Sequence, residues 1–381
     1  MHPFSGQFVL PRLERVIAGP GTHARLPAEV ERYGCSRAVV VTGTTVGGSP
    51  LLTRTVELLG SRCAAVFTGA RQHVPSSSVT ALLQVMRESD ADCLVSLGGG
   101  SPIDTAKAAV HALLTSSSAA ARRADGLVHI AIPTTLSAGE FTDVAGITDE
   151  TTRIKHAVSD PRLAPRTVIA DPLVTQDTPS WLWAASGVRA LDHAIETLYA
   201  DVRHPVSEPL AERGLERLIE HLPRSVNGPA DEIAARRGEC QMAAWLAVFG
   251  VTNAGFGLSH VLGHQIGPRW NVAHGVTSAI VLPHVMRFMA DAVPDRFAAI
   301  ARALGVTGEG SEPRGIALAC ADRVAAFIAQ FGLPLRLREV EVARDELGAV
   351  AALVADLMSR ARTVSRPVTR GEVEAVLTAA Y

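Results

Sequence analysis

The sequence predicts an α/β N-terminal dinucleotide-binding domain with a parallel sheet, followed by an all-α helical C-terminal domain. Three observations carry this. Short Val/Ile-rich runs closed by Gly, Pro or Thr recur up to about residue 172. Amphipathic stretches lie between them. From Pro172 onward strand signals nearly vanish, and Ala/Leu-rich segments with helical periodicity take over. Strands alternating with helices imply βαβ units and a parallel sheet covered on both faces. The expected domains are residues 1–172 and 173–381.

The predicted strands are, in order, "RAVVVTG" (37–43), "CAAVFTG" (63–69), "DCLVSLGGG" (92–100), "LVHIAIPTT" (127–135) and "RTVIADP" (166–172). Each is short, apolar and β-branched, as a strand buried on both faces must be. "SSSVTALLQVMRES" (76–89) is a helix between two of them, and "TSSSAAARRADG" (115–126) is a low-complexity loop. In the second half, "RGLERLIEHLPRSV" and "RRGECQMAAWLAVFGVTNAGFG" read as helices.

Composition narrows the classes. With 381 residues, 47% hydrophobic and 19% charged, the chain is long enough for two domains and apolar enough for large cores. A net charge of -2 predicts no nucleic-acid partner and no attraction to an anionic membrane. Cys35, Cys63, Cys93, Cys240 and Cys320 are scattered, odd in number and never in a CxxC pair, which suits a reducing cytoplasm rather than a disulfide framework. The N-terminus is interrupted by Pro and charge, unlike a signal peptide, and no apolar run reaches the ~18 residues of a membrane span. A cytoplasmic protein is expected.

"LVSLGGGSPIDTAKAAV" ends an apolar strand in Gly98, Gly99 and Gly100, with Ser101 next and a helix from about Pro102. Glycines let the backbone approach a ligand, and free N–H groups at a helix start favour phosphate. Asp104 and Lys107, in the first two turns, are candidates to position ribose or phosphate. "IPTTLSAGEFT" (132–142) adds the hydroxyls of Thr134, Thr135 and Ser137 at another sheet edge. The pattern is neither G-x-G-x-x-G nor a P-loop.

"SGVRALDHAIETLYA" (186–200) is a helix with Arg189 and His193 four apart on one face, while Asp192 and Glu196 read as solvated or structural. His260 and His264 are likewise four apart, and His274 follows a turn containing Pro268 and Asn271. Histidines so spaced serve as metal ligands, bases or core residues, and several in one nearly uncharged segment point to an active site. His111, His129, His156, His204 and His221 read as surface or structural residues, and Cys240 as a core residue.

Together "GGGSPIDTAK", "IPTTLSAGE", "HAIE", "GLSHVLGHQIG" and "NVAHGVTSAIVLPHVMRF" resemble the iron-containing alcohol dehydrogenase superfamily. "ARQHVPSSSV", "DPRLAPRTVIADP" and "SRPVTRGEVEAVL" are similar to its maleylacetate reductase branch. The resemblance implies the dehydroquinate synthase-like two-domain fold, a homodimer, and NADH or NADPH with its pyrophosphate at Gly98 to Ser101. It places Thr134, Thr135 and Ser137 near the nicotinamide half, with Lys155 as a further candidate contact. At the end of the first strand it places Thr42 and Gly43 where NAD-selective relatives often carry an Asp that repels a 2′-phosphate, so both cofactors are expected.

Metal-using members hold a divalent ion with an Asp, a His four residues later, and two His fourteen apart. His193, His260 and His274 stand at the three histidine positions, and Arg189 at that of the Asp. A guanidinium in place of a carboxylate removes a ligand and adds a permanent positive charge. At ~4 Å and an effective dielectric of ~20, each unit of charge on the ion is opposed by ~4 kcal/mol. Bound iron or zinc is therefore not expected; were it present, His193, His260 and His274 would be its ligands. The arginine instead suits a small anionic carbonyl substrate such as maleylacetate. Arg189 binds a carboxylate or developing oxyanion, His260, His264 and His274 act as donors and proton sources, and His193 supports them. The alternatives are a metal-dependent alcohol dehydrogenase, a reductase for another keto acid, and a nucleotide-binding protein without turnover.

Overall fold

A computed structural model of the chain describes residues 8–116, 124–202, 204–307, 312–360 and 367–381. Most of the predicted 115–126 loop lies outside the described residues, as do Ser365 and Arg366 of the C-terminal motif. The chain divides into two compact units. One is Leu10–Thr178; the other is Pro179–Tyr381 together with Phe8 and Val9.

The Leu10–Thr178 unit holds a six-stranded parallel sheet of order β1-β8-β5-β4-β2-β3. Five strands coincide with the predicted ones: β2 Ala38–Val41, β3 Cys63–Phe67, β4 Cys93–Gly98, β5 Val128–Pro133 and β8 Thr167–Ala170. The four interior strands are buried at every residue, whereas edge strand β3 alternates. Ala38 and Val40 enter one apolar cluster, with Leu26, Val30, Leu51 and Leu59 from the helices Leu26–Arg32 and Pro50–Leu59. Val39 and Val41 enter the other, with Leu82 and Met86 from Ser76–Glu88 and Ala106 and Ala109 from Gly100–Leu114. The period of two along the strand thus separates two cores.

Three strands lie outside the predicted set. β1 (Arg15–Ala18) pairs with β8 at the sheet edge, and β6 (Val144–Thr148) forms an antiparallel hairpin with β7 (Lys155–Ser159). The hairpin turns at Asp149, whose Oδ1 accepts from the N–H groups of Thr151 and Thr152. Residues 173–178 stay with the α/β unit. Asp171 accepts from the backbone of Gly21, His23 and Leu173, and the Thr178 hydroxyl donates to the Thr134 carbonyl.

In the helical unit, Ser180–Tyr199 is buried from Trp183 through Tyr199. It packs against Ser207–Asn227, Ala230–Val248 and His274–Ala292. The Trp183 indole donates to Ser225 Oγ at 2.8 Å, and Cys240 is buried beside the same hydroxyl. Val9 is tied to this unit by two hydrogen bonds with Asn253, and the Phe8 ring lies tilted against His204.

His129 of β5 lies in the sheet core with Nε2 2.8 Å from Ser96 Oγ. Burial, aided by the nearby Lys107 charge, lowers it from 6.5 to about 3. The folded state therefore refuses a proton that the unfolded chain takes below pH 6.5, and stability is lost as pH falls from 6.5 toward 3. Between pH 7 and 5 the folding free energy of the protein, relative to His129→Gln, is expected to fall by about 2 kcal/mol in urea titrations. A difference that does not change with pH would contradict this.

Candidate active site

Two groups of chemistry-bearing residues form, one in each unit. In the α/β unit, β4 ends at Gly98 with φ +140°, a conformation open to glycine, and Gly99 caps the Gly100–Leu114 helix. The Thr134 N–H donates to the Gly98 carbonyl at 2.9 Å, tying together the loops after β4 and β5. A Cβ at Gly99 would lie 3.1 Å from Thr135, and one at Gly100 3.2 Å from Ser137 Oγ. The glycines thus let two loops close on each other at the carboxyl ends of adjacent strands, where open α/β sheets bind ligands. Ser137 Oγ is buried there without a hydrogen-bond partner, beside the free N–H groups of the helix start and Ser101.

The other expected cofactor residues divide. Thr42 is fully buried; its hydroxyl donates to the Leu97 carbonyl, its N–H to the Phe67 carbonyl, and its own carbonyl accepts from the Ala70 N–H, so the residue supports the strand end and does not present a polar group to a ligand. Asp104 Oδ2 accepts from the Gly146 N–H at 3.4 Å, and Lys155 packs across Gly146 from the neighbouring strand. Lys107 departs from the expectation. It is fully buried and donates to Gly139 O, Thr142 Oγ1 and Val144 O, so it pins the segment after β5 instead of meeting a ribose or phosphate.

In the helical unit, Arg189, Asp192, His193 and Glu196 stand at i, i+3, i+4 and i+7, one face of Ser180–Tyr199. All four are buried, so Asp192 and Glu196 are not solvated. Facing them are Leu258–Trp270, which carries His260 and His264, and the helix His274–Ala292. Glycines set the approach: a side chain at Gly275 would overlap the Ala185 carbonyl, and a Cβ at Gly257 would sit 2.5 Å from Glu196 Oε1.

Arg189 Nη1 donates to Ser278 Oγ at 3.0 Å and lies 3.4 Å from Asp192 Oδ2; Nη2 lies 3.5 Å from His264 Nε2. Asp192 Oδ2 also accepts from the hydroxyls of Ser259 (2.8 Å) and Ser278 (2.7 Å). Glu196 accepts from the N–H groups of Gly257 (2.9 Å) and Ser259 (2.8 Å), and its Oε2 lies 2.8 Å from His260 Nδ1. The His260 ring stacks on His193 at 4.6 Å and on Phe256 at 4.9 Å. His264 meets His274 edge-on at 5.4 Å. The arrangement brings together all five expected catalytic residues.

Electrostatics follow burial. Desolvation, reinforced by the Asp192–Glu196 proximity, pushes Asp192 up to about 7 against the pull of Arg189 and the two serines. Glu196 is pushed to about 7 by burial, opposed by the Ser259 and Gly257 N–H groups and by Arg189. Burial lowers His193 and His260 well below 6.5, with Arg189 adding to both, so both imidazoles are neutral. Burial also lowers Arg189, which keeps its charge beside the two carboxyls. Among the described residues, the groups whose ligating atoms lie within 4.8 Å of one another are Asp192, Glu196 and His260, not the three histidines.

Of the two readings of Asp192 and Glu196, solvated or structural, burial removes the first, while Ser259 and Ser278 carry no reading from the sequence. The signal was available for the two acids: they share a face with Arg189 and His193 in a helix that is apolar elsewhere. Nothing in the local pattern marks the serines.

A fold and a site of this kind define the iron-containing alcohol dehydrogenase family, to which the chain belongs: residues 13–172 match its iron-containing alcohol dehydrogenase domain and 183–381 its C-terminal domain. It is an oxidoreductase of the maleylacetate reductase-like branch. Maleylacetate reductase 2 of Cupriavidus pinatubonensis is 38% identical over 297 residues, 78% of this chain and 77% of that one. The lactaldehyde reductase of Escherichia coli is 33% identical over 352 residues, covering 89% and 90%. The crystal structure of maleylacetate reductase from Agrobacterium tumefaciens superposes with a TM-score of 0.82 at 29% identity, covering 100% of this chain and 99% of that one.

Arg189 is met by both Asp192 and Glu196, so removing Asp192 leaves a buried guanidinium with one carboxyl and without its ion-pair partner at 3.4 Å. Asp192→Ala is expected to destabilise the protein by about 3 kcal/mol. Urea unfolding of Asp192→Ala in an Arg189→Met background is expected to recover most of that loss.

Proposed function

We propose that the protein is a nicotinamide-dependent reductase of a small unsaturated keto acid, converting maleylacetate to 3-oxoadipate without a metal ion. The observation that carries this reading is Arg189, a buried permanent cation held by Ser278 and Asp192 among the histidines. A planar guanidinium pairs with a carboxylate through two donors, and it stabilises negative charge that develops in a water-poor site.

The glycine loop fits a dinucleotide. Gly98, Gly99 and Gly100 leave backbone where side chains would fill the space beside Thr135 and Ser137, and the helix start supplies N–H donors to a pyrophosphate. Thr134, Thr135, Ser137, Asp104 and Lys155 would hold the remainder. Gly43, the residue after Thr42, carries no charge to repel a 2′-phosphate, so NADH and NADPH both serve. When bound, the reduced nicotinamide supplies a hydride.

The substrate carboxylate binds Arg189, and the electron pair displaced from the carbon–carbon double bond moves to the conjugated carbonyl oxygen. Arg189 and His264 face that charge as donors. Protonation at the carbon next to the carbonyl completes the reduction, with His264 and His274 on the route of the proton and His193 supporting His260.

A divalent ion does not suit these residues. Glu196 already accepts from Gly257, Ser259 and His260, and although Asp192 Oδ1 and His260 Nε2 are unpaired, the permanently charged Arg189 guanidinium 3.4 Å from Asp192 opposes a second cation beside it. No step is drawn through a metal.

Chelator-treated protein is expected to oxidise NADH or NADPH rapidly with maleylacetate. Activity that appears only on adding iron or zinc would favour the metal-dependent dehydrogenase instead. Arg189→Ala is expected to lower kcat/KM for maleylacetate about 100-fold or more, as loss of a charge-stabilising donor does, while Arg189→Lys restores part of it. Gly99→Val is expected to abolish dinucleotide binding in a fluorescence titration.

A further inference from the structure

We propose that Glu196 is a positioning residue for His260: it fixes the Nδ1–H tautomer and leaves Nε2 as a lone-pair acceptor for an N–H or O–H donor in the active site. The geometry is that of an anchored carboxylate. Glu196 projects from Ser180–Tyr199 onto the start of Leu258–Trp270, where its oxygens accept the N–H groups of Gly257 at 2.9 Å and Ser259 at 2.8 Å. Tyr199 donates a further hydrogen bond at 3.3 Å. Three donors converge on the carboxylate, and above pH 7, where Glu196 is ionised, it can only accept from His260 Nδ1, 2.8 Å away.

An imidazole that donates through one nitrogen presents a lone pair at the other. His260 Nε2 is buried and has no hydrogen-bond partner, and neither has His193 Nδ1 in the ring stacked against it. Buried polar atoms are nearly always satisfied, so an unsatisfied acceptor among catalytic side chains marks a place kept for a donor. The stacked rings of His193 and Phe256 fix the plane of the imidazole, and Glu196 fixes its rotation within that plane.

The catalytic consequence rests on the reductase reading; the tautomer does not. The first measurement uses the full-length protein without substrate: long-range proton–nitrogen correlation on ¹⁵N-histidine-labelled protein at pH 8, with the His260 ring signals assigned by their loss in His260→Gln. The expected result is a protonated Nδ1 and a bare Nε2. A protonated Nε2 in the unmutated protein overturns the proposal whatever the substrate proves to be.

Glu196→Gln keeps the shape but places an amide NH₂ against one of the donors. It is expected to move His260 toward the Nε2–H form and to lower kcat about 10–100-fold, the range carried by partners that orient a functional histidine, with KM changed less than about threefold. Unchanged tautomer and unchanged kcat in folded Glu196→Gln would also overturn it. If maleylacetate is not turned over but the Nδ1–H form is found, the substrate assignment fails and the positioning role stands.

Discussion

The helical unit is organised by one constraint: charge buried in a protein interior must be met by charge or by well-placed donors. Arg189 lies within the apolar packing of Ser180–Tyr199, and two carboxyls four residues apart on the same helix answer it. The serines at 259 and 278 complete the donor set and belong to two other helices. Three helices are therefore registered to one another by a hydrogen-bonded group that no apolar contact could specify as closely. The histidines occupy the same junction, so the geometry needed for chemistry and the geometry needed for burial are set together.

The α/β unit solves a different problem with smaller parts. Its glycine loop brings the segments after two adjacent strands against each other, and close approach requires the absence of side chains. Gly98, Gly99 and Gly100 provide that, while Lys107, two helical turns further on, holds the neighbouring segment by three donated hydrogen bonds. A residue whose type suggested ligand binding turns out to shape the wall behind it.

Much of this was legible in the sequence. Interior strands read clearly because burial on both faces demands continuous Val, Ile and Leu, as in "AVVV" and "CLVSLG". β1 did not, since "RVIA" is four residues at an edge, and β7 did not, since "KHAVS" is mostly polar and largely exposed. Arg189 and the histidines were evident from spacing and from the departure of one residue from a familiar pattern. Asp192 and Glu196 left the solvated reading open because an acidic side chain is ordinarily solvated; only the surroundings of their helix, buried on every side, reverse that expectation. The serine donors and the tie between Glu196 and Gly257 depend on helix packing, which no local pattern encodes.

Leu258–Trp270 carries Gly263, Gly267 and Pro268, and no side chain of its own caps its start. Such a segment has little helical stability alone. Its first N–H groups are met by a carboxylate sixty residues earlier in the chain. The order of this helix is thus lent by another element, and the two histidines it displays come into register only when that element is already folded. The placement of these histidines rests on a tertiary contact rather than on the local sequence of the helix that carries them.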